Sequence, residues 1–473
     1  MQGKLTRFCI EGLHNIRTID IPITDNKLVL VGENGMGKST VANFIYFFLT
    51  MQWSRILEYK FKSVSAEIES TKYHLSKNDI KKLARKQNFI NERYRRRLPM
   101  SIYKKVAELV KKKYSDKKII KLIAEDLGVP LTILRREIEN IRFSNSISKE
   151  LKEDIESVKT KIGNSVIYLP TYRRIEQDLD IILPKLRKRI RRDIEEYPRR
   201  RKNTEYTELV EFGMEDVEKT IARKMIEMKE TIRKDLSALT GDYLRDVIKG
   251  VYKSVDIDKF NEINDLLLTD IFKRIPEDIL PKRDQELLNE IISEINESKT
   301  INDNNKVIAH FLTKLAKLYQ KQQDDESDIR EFVKICNQGY LSDKQFIYDD
   351  RNFNIVIQDI LIQADVPDLP LKALSSGEKQ IVSLFSHLYL SGKSGFFLII
   401  DEPELSLSVP WQKQFLPDIL KRCNGLIAVT HSPFIYDNEL RSYAHSLEEF
   451  ITPYEHDPDL EEWDITSDEN MII

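Results

Sequence analysis

The stretch Leu374-Ser375-Ser376-Gly377-Glu378-Lys379-Gln380, followed after an apolar helix-like segment by Phe396-Phe397-Leu398-Ile399-Ile400-Asp401-Glu402-Pro403-Glu404, decides the fold. Five consecutive apolar residues are too few for a helix of ordinary length and too uniform for a strand with one wet face. They read as a parallel strand buried on both sides. Open α/β sheets gather their ligands beyond the C-terminal ends of such strands, so Asp401 and Glu402 are delivered to the reactive edge. Ser376, Gly377 and Glu378 open a helix, where free backbone N–H groups, a hydroxyl and the positive end of the helix dipole suit a phosphate group.

A second stretch supplies what these carboxylates need. Lys27 to Val31 is a short apolar run that leads into Gly32-Glu33-Asn34-Gly35-Met36-Gly37-Lys38-Ser39-Thr40. Two glycines bracketing four residues and then Lys-Ser, between a strand and a helix, form the pattern of a phosphate-binding loop. Gly32, Asn34, Gly35, Gly37 and Thr40 shape a cradle of backbone N–H groups. Lys38 reaches toward β- and γ-phosphates, and Ser39 offers its hydroxyl to Mg²⁺. The competing reading is a glycine turn that merely packs a helix. Further on, Leu426 to Val429 reads as another buried strand ending in Thr430-His431-Ser432-Pro433, which places His431 beside the carboxylates, where it can sense a γ-phosphate.

The remaining composition sets bounds. A chain of 473 residues exceeds one hydrophobic core and predicts two or three structural units. Charge is balanced overall, with 75 basic and 77 acidic residues, but unevenly spread. From Lys81 to Ile120 there are 15 Lys or Arg against three acids, and from Arg441 to Ile473 ten acids against one Arg. Cys9, Cys336 and Cys423 have neither metal-ligand nor disulfide spacing, which fits a reducing cytoplasm. No apolar run approaches the roughly 18 residues of a membrane span, and no membrane association is expected.

Taken in order, residues 1–80 predict strands around the phosphate loop, with the sheet signal fading after Val64. Residues 81–160 predict a basic helical insertion. Within it Arg93, Arg95, Arg96 and Arg97 flank Tyr94, and Ile123-Ala124, Leu127-Gly128-Val129, Leu134 and Ile138 have the spacing of a helix-turn-helix unit with Arg135 and Arg136 on its second helix. Three packed helices that touch no DNA would use the same spacing. Residues 161–184 hold a strand, Ser165 to Leu169, and a loop with Arg173 and Arg174. Residues 185–340 predict a helical arm with basic clusters at Arg187–Arg192 and Arg199–Lys202 and an apolar face of Leu287, Leu288, Ile291, Ile292 and Ile295. Residues 341–447 complete the sheet after a hairpin at 345–357, and an acidic tail, mobile or docking, is expected over 448–473.

The order of phosphate loop, long helical insertion, Ser-Gly-Glu signature, Asp-Glu strand and histidine resembles the ABC-type ATPase head of the OLD, SMC and RecF class. That resemblance implies an α/β fold, a mixed sheet flanked by helices and interrupted by a long α-helical insertion, with ATP and Mg²⁺ as ligands. It implies that Lys38 and Ser39 bind phosphate and Mg²⁺, that Asp401 holds Mg²⁺, that Glu402 polarises the attacking water and that His431 is the switch histidine. Ser376, Gly377 and Glu378 would close over the ATP of a second copy, so that hydrolysis requires a homodimer of heads or a higher homo-oligomer.

The 336 positions between Lys38 and Leu374 exceed a transporter ATPase and fall short of an SMC protein. Tyr168 to Glu176 and Val210 to Asp216 are similar to OLD-type ATPases of bacterial defence operons, AriA of PARIS systems first and PtuA of Septu next. Only 42 residues follow His431, fewer than a Toprim domain needs, so the resemblance implies a separate nuclease effector, Toprim-like or HNH, and a phage-encoded trigger. The basic clusters keep open a RecF-like or SMC-like DNA ATPase, with nucleic acid as a possible partner. Glu404-Leu405-Ser406-Leu407-Ser408-Val409-Pro410 departs from the Glu-Leu-x-Leu-His-Pro of relatives. The Mg²⁺-coordinating glutamine has only Gln52 and Gln177 as candidates.

Overall fold

The computed structural model describes residues 3–95, 100–112, 114–127, 134–135, 138, 141, 148–162, 166–170, 206–208, 214–255, 260, 271, 274, 281–298, 300–361, 368–392 and 395–454. Its main elements run β1 Leu5–Leu13, β2 Arg17–Pro22, β3 Lys27–Val31, α1 Lys38–Leu49, β4 Ser63–Ile68, β5 Thr71–Ser76, α2 Lys77–Arg95, α3 Met100–Lys111, α4 Asp116–Leu127, α5 Lys149–Ile162, β6 Val166–Leu169 and β7 Tyr206–Glu208. They continue α6 Met214–Lys249, α7 Lys282–Ser298, α8 Lys306–Asn337, β8 Lys344–Asp349, β9 Asn354–Asp359, α9 Ser376–Leu390, β10 Phe396–Asp401, α10 Val409–Leu420, β11 Cys423–Val429, β12 Ala444–Ser446 and β13 Ile451–Pro453. The chain forms two compact units, residues 1–210 with 395–473, and residues 211–394.

The first unit is α/β, as expected, with parallel and antiparallel pairing separated into two sheets. One sheet has the order β12-β3-β11-β10-β6-β7, and every neighbouring pair in it is parallel. The other, β13-β2-β1-β4-β5, is antiparallel throughout. Helix α1 joins them: the Phe48 ring meets Phe8 of β1 edge-on at 5.7 Å, and Tyr46 stacks on Tyr168 of β6 at 4.6 Å. A helix with apolar partners on opposite sides has to be apolar nearly all round, which is what Val41 to Leu49 provides. Its one polar intrusion, Asn43, accepts a hydrogen bond from the Tyr168 hydroxyl at 2.6 Å.

Two expectations for this unit are corrected. The sheet does not fade after Val64: β4 and β5 continue it as a hairpin whose two-residue turn, Glu69 and Ser70, has φ of 50° and 64°. Their serines, lysine and glutamate disguise an alternation that buries Val64, Ala66, Ile68, Tyr73 and Leu75. Nor does a mobile tail begin at Glu448. Ser446 caps a short 3-10 turn over Leu447–Phe450, and β13 then pairs with β2, so order persists to Tyr454. The tail beyond Tyr454 lies outside the described residues.

Helices α3 and α4 share a small core of Val106, Val110, Ile119, Ile123, Leu134, Ile138 and Ile141. The apolar spacing that suggested helix-turn-helix packing therefore has a packing role, while Gly128 and Arg136 lie outside the described residues. So do Arg96, Arg97, Arg173, Arg174, Gln177 and the basic clusters 187–192 and 199–202.

The second unit is built on α6, α7, α8 and α9 with the hairpin β8-β9, near the expected 345–357. Of the apolar face on α7, Ile292 and Ile295 are buried with Leu312 and Ala316, while Leu287 is exposed. A buried charge cluster ties this unit together: Glu326 on α8 is fully buried and accepts from Arg274 at 2.7 and 3.0 Å and from Arg330 at 2.9 Å. Both guanidiniums also reach Asp350, at 2.8 and 2.9 Å.

Candidate functional site

Because the six-stranded sheet is parallel, its strands end at one edge. β3 runs into the phosphate loop, its neighbour β11 into Thr430-His431, and the next strand, β10, into Asp401-Glu402. With about 4.8 Å between strands, the loop and the carboxylates are separated by roughly 10 Å, with the histidine strand between them. Register supports this, since Val429 lies opposite both Leu30 and Asp401. The Thr430 N–H donates to the Leu30 carbonyl at 3.0 Å and the Glu402 N–H to the Val429 carbonyl at 2.8 Å.

The loop itself turns through three glycines at positive φ, Gly32 at 143°, Gly35 at 84° and Gly37 at 96°, conformations that side-chain-bearing residues rarely adopt. Gly37 caps α1 without a side-chain hydrogen bond, leaving the first N–H groups of a 12-residue helix directed at the loop. The Lys38 side chain folds back, its Nζ donating to the carbonyls of Gly32 at 2.9 Å and Glu33 at 2.8 Å. Burial lowers the pKa of this amine, against the field of Asp401, Glu402 and Glu404, which favours its charged form. Asn34, Gly35 and Ser39 are exposed on the loop, and Thr40 is half-buried.

Asp401 is buried, and Glu402 is held at φ 50°, a left-handed conformation costing about 1–2 kcal/mol for a residue with a side chain. Burial is the main cause that raises the Glu402 pKa, with Asp401 and Glu404 adding to it, while His431 and Lys38 oppose the shift. One carboxyl therefore lies in the fields of the phosphate-loop amine, the Asp and the histidine. The donor set of Ser39 and Asp401 consists of the hard oxygens that Mg²⁺ prefers, and the three positive-φ turns of the loop, at Gly32, Gly35 and Gly37, carry no Cβ.

The signature residues belong to the second unit. Ser375 caps α9 in a capping box: its hydroxyl accepts from the Glu378 N–H, and the Glu378 carboxylate accepts from the Ser375 N–H at 2.6 Å. Ser376 is exposed on the first turn. Glu378 is turned inward and buried, and its carboxylate also meets Lys344 of β8 at 3.3 Å. Gln52 follows the C-terminal end of α1, about 18 Å of helix from Lys38, and its amide donates to Thr50 at 2.9 Å.

Two residues at the site were not singled out from sequence. Glu404 accepts from the His431 N–H at 2.8 Å and from the Thr430 hydroxyl at 2.7 Å. Arg17 of β2 places its guanidinium against Gly37. Glu404 heads the Glu-Leu-x-Leu loop, but neither its partners nor those of Arg17 are marked in the local sequence, because each acts across the fold on another segment.

No helix among the described residues is long and apolar enough to cross a membrane. Comparison with curated proteins returns no match. The family model AAA_15, described as an AAA ATPase domain, matches residues 4–436. That span starts ahead of β1 and ends just past His431, so it takes in both chain segments that meet at the reactive edge, and the chain belongs to this AAA ATPase domain family.

Proposed function

We propose that this chain binds ATP with Mg²⁺ and hydrolyses it. One observation carries the reading: three adjacent parallel strands bring Lys38, His431 and the Asp401-Glu402 pair to the same edge. Phosphoryl transfer asks for positioning and charge neutralisation more than covalent help, and these residues provide both. The N–H groups of the loop and of the α1 N-terminus bind the phosphates. Lys38 exchanges its carbonyl partners for phosphate oxygens. Ser39 and Asp401 hold Mg²⁺, which supplies further charge neutralisation when bound. Glu402, its pKa raised by burial, orients and deprotonates the attacking water, and His431 contacts the γ-phosphate. Turnover by the wild type, lost in Lys38→Ala and Glu402→Gln, tests this. Phosphate release equal in all three proteins would sink it.

Ser376 and Gly377 at the start of α9 complete a second copy's site in this reading, so the working form is a head dimer or a larger homo-oligomer. The defence role follows from the resemblance of Tyr168–Glu176, Val210–Asp216 and the overall layout to ATPases of anti-phage systems. ATP-joined heads would restrain a separate nuclease and release it on sensing a phage product. Co-expression of wild-type and Glu402→Gln chains with the neighbouring gene, followed by phage challenge, separates the outcomes; equal protection by both argues against the role.

A DNA-directed ATPase is favoured by one further observation. Lys104, Lys105, Lys111, Lys117, Lys118, Lys121 and Arg135 are all exposed on the α3-α4 bundle. Such a face supports phosphate-backbone contact whose affinity falls steeply with salt. ATPase rates unchanged by duplex DNA, with no salt-dependent binding, would remove this alternative.

A further inference from the structure

The loop that carries Glu402 and the loop that carries His431 are joined by side chains as well as by the sheet. Glu404 spans them: Oε1 accepts the His431 backbone N–H at 2.8 Å, and Oε2 accepts the Thr430 hydroxyl at 2.7 Å. Thr430 is fully buried, and its oxygen in turn accepts the Ser432 N–H at 3.0 Å. Ser432 then donates to the Gln412 side chain at 2.6 Å, and Gln412 returns to the first loop by donating to the Leu407 carbonyl at 2.9 Å. Residues 402–407 and 430–432 thus form a closed ring of hydrogen bonds, with a charged acceptor at the histidine. Within that ring the Glu404 carboxylate accepts from both the Thr430 hydroxyl and the His431 N–H, so it ties two consecutive residues of the histidine segment to its own loop.

The His431 side chain is exposed, and no hydrogen bond to its imidazole is seen among the described residues. Its location depends on its backbone, and its backbone is held by Glu404. We infer that Glu404 is a positioning residue for the switch histidine: its carboxylate fixes the segment bearing His431 relative to the loop bearing Glu402, so that the two groups meet a γ-phosphate as one unit. This rests on the ATPase reading of the site. Glu404 needs no contact with nucleotide in this role, and a carboxylate is required because one side chain must accept two donors from different groups at once. An amide keeps one accepting oxygen, and Thr430 would have to reverse its hydroxyl to meet the NH₂ group.

The test combines turnover with a readout independent of it. Steady-state ATPase kinetics are measured for wild type, Glu404→Ala, Glu404→Gln, Thr430→Val, His431→Ala and the Glu404→Ala/His431→Ala double variant, and hydrogen exchange of the 428–434 segment is followed by mass spectrometry. Glu404→Ala should lower kcat about tenfold or more with KM within about threefold, the signature of an interaction expressed in turnover. Glu404→Gln and Thr430→Val should fall between it and wild type. In the double variant kcat should match His431→Ala alone, since a residue acting through the histidine has nothing left to position. Exchange in the 428–434 segment should be faster in Glu404→Ala than in wild type. The inference is overturned if Glu404→Ala slows the His431→Ala background by the same factor as wild type, or if exchange is unchanged. A wild type without turnover would overturn the ATPase reading alone, because exchange still decides whether Glu404 holds the segment.

Discussion

Arg17 and Gly37 lie close together across the fold: the Arg17 Nη2 is 2.8 Å from the position a Cβ on Gly37 would occupy. A guanidinium from the antiparallel sheet thereby borders the phosphate loop that the parallel sheet supplies. Arg17→Ala should weaken ATP about tenfold or more, since a hydrogen bond to a charged group contributes about 1.5–3 kcal/mol. Gly37→Ala should do worse, because a side chain at φ 96° is strained and would meet that guanidinium. Titration with a fluorescent ATP analogue reads both, and unchanged affinity in Arg17→Ala would reduce the arginine to a support for the loop.

Lys38→Ala should abolish the gain in thermal stability that ligand confers. For the wild type, Mg·ATP at a hundred times its Kd should add about 2.7 kcal/mol by mass action. The same titration on the variant should leave Tm flat. A Tm that climbs with ATP in both proteins would place the nucleotide elsewhere.

Glu402→Gln should stabilise the protein near neutral pH in nucleotide-free and metal-free buffer. Its carboxyl has a folded pKa above its ordinary 4.5, from burial first and then Asp401 and Glu404. The native state therefore binds more protons than the unfolded one between the two values, and stability falls as pH rises through that window. The variant should melt higher than wild type above the window, and the difference should shrink as pH drops below about 4.5, the unfolded-state value. Melting curves across pH check the sign; a variant less stable than wild type at pH 7.5 would refute it.

Glu326→Ala should destabilise the second unit by about 3–5 kcal/mol, the usual cost of removing one partner from a buried charge cluster. Burial alone would depress the Arg274 pKa, and Glu326 first and then Asp350 overcome it; because a guanidinium keeps its proton in proteins, the variant leaves a charge without its main partner. Denaturant unfolding should show the loss. Glu326→Gln should lie between, and a change under about 1 kcal/mol would mean that Asp350 suffices for both arginines.

What could be read from sequence depended on whether a signal was local. The runs Lys27–Val31, Phe396–Ile400 and Leu426–Val429 announced themselves because strands buried on both faces have no polar alternation to obscure them. The loop Gly32–Thr40 was legible because its backbone geometry demands glycine. By contrast, β4 and β5 carry serine, lysine and glutamate on the wetter face, and β12 and β13 are three residues each, too short to leave a period. The contacts of Arg17 and Glu404 were hidden for a different reason. Each residue meets its partner only after the sheets have formed, and no spacing along the chain encodes that meeting. Glu378 shows the converse, since its place in the signature suggested a ligand while its carboxylate caps its own helix and pairs with Lys344.

Strand order also has a temporal meaning. The phosphate loop leaves β3, but the two strands flanking β3 in the sheet, β11 and β12, are made about 400 residues later. A ribosome translating this chain holds an exposed β3 through most of synthesis, with no partner to pair along either side. The nucleotide site therefore cannot close on a nascent chain. ATP binding becomes a property of the finished unit, and any chain interrupted before Cys423 is left with β3 as an unpaired apolar strand that quality control can recognise.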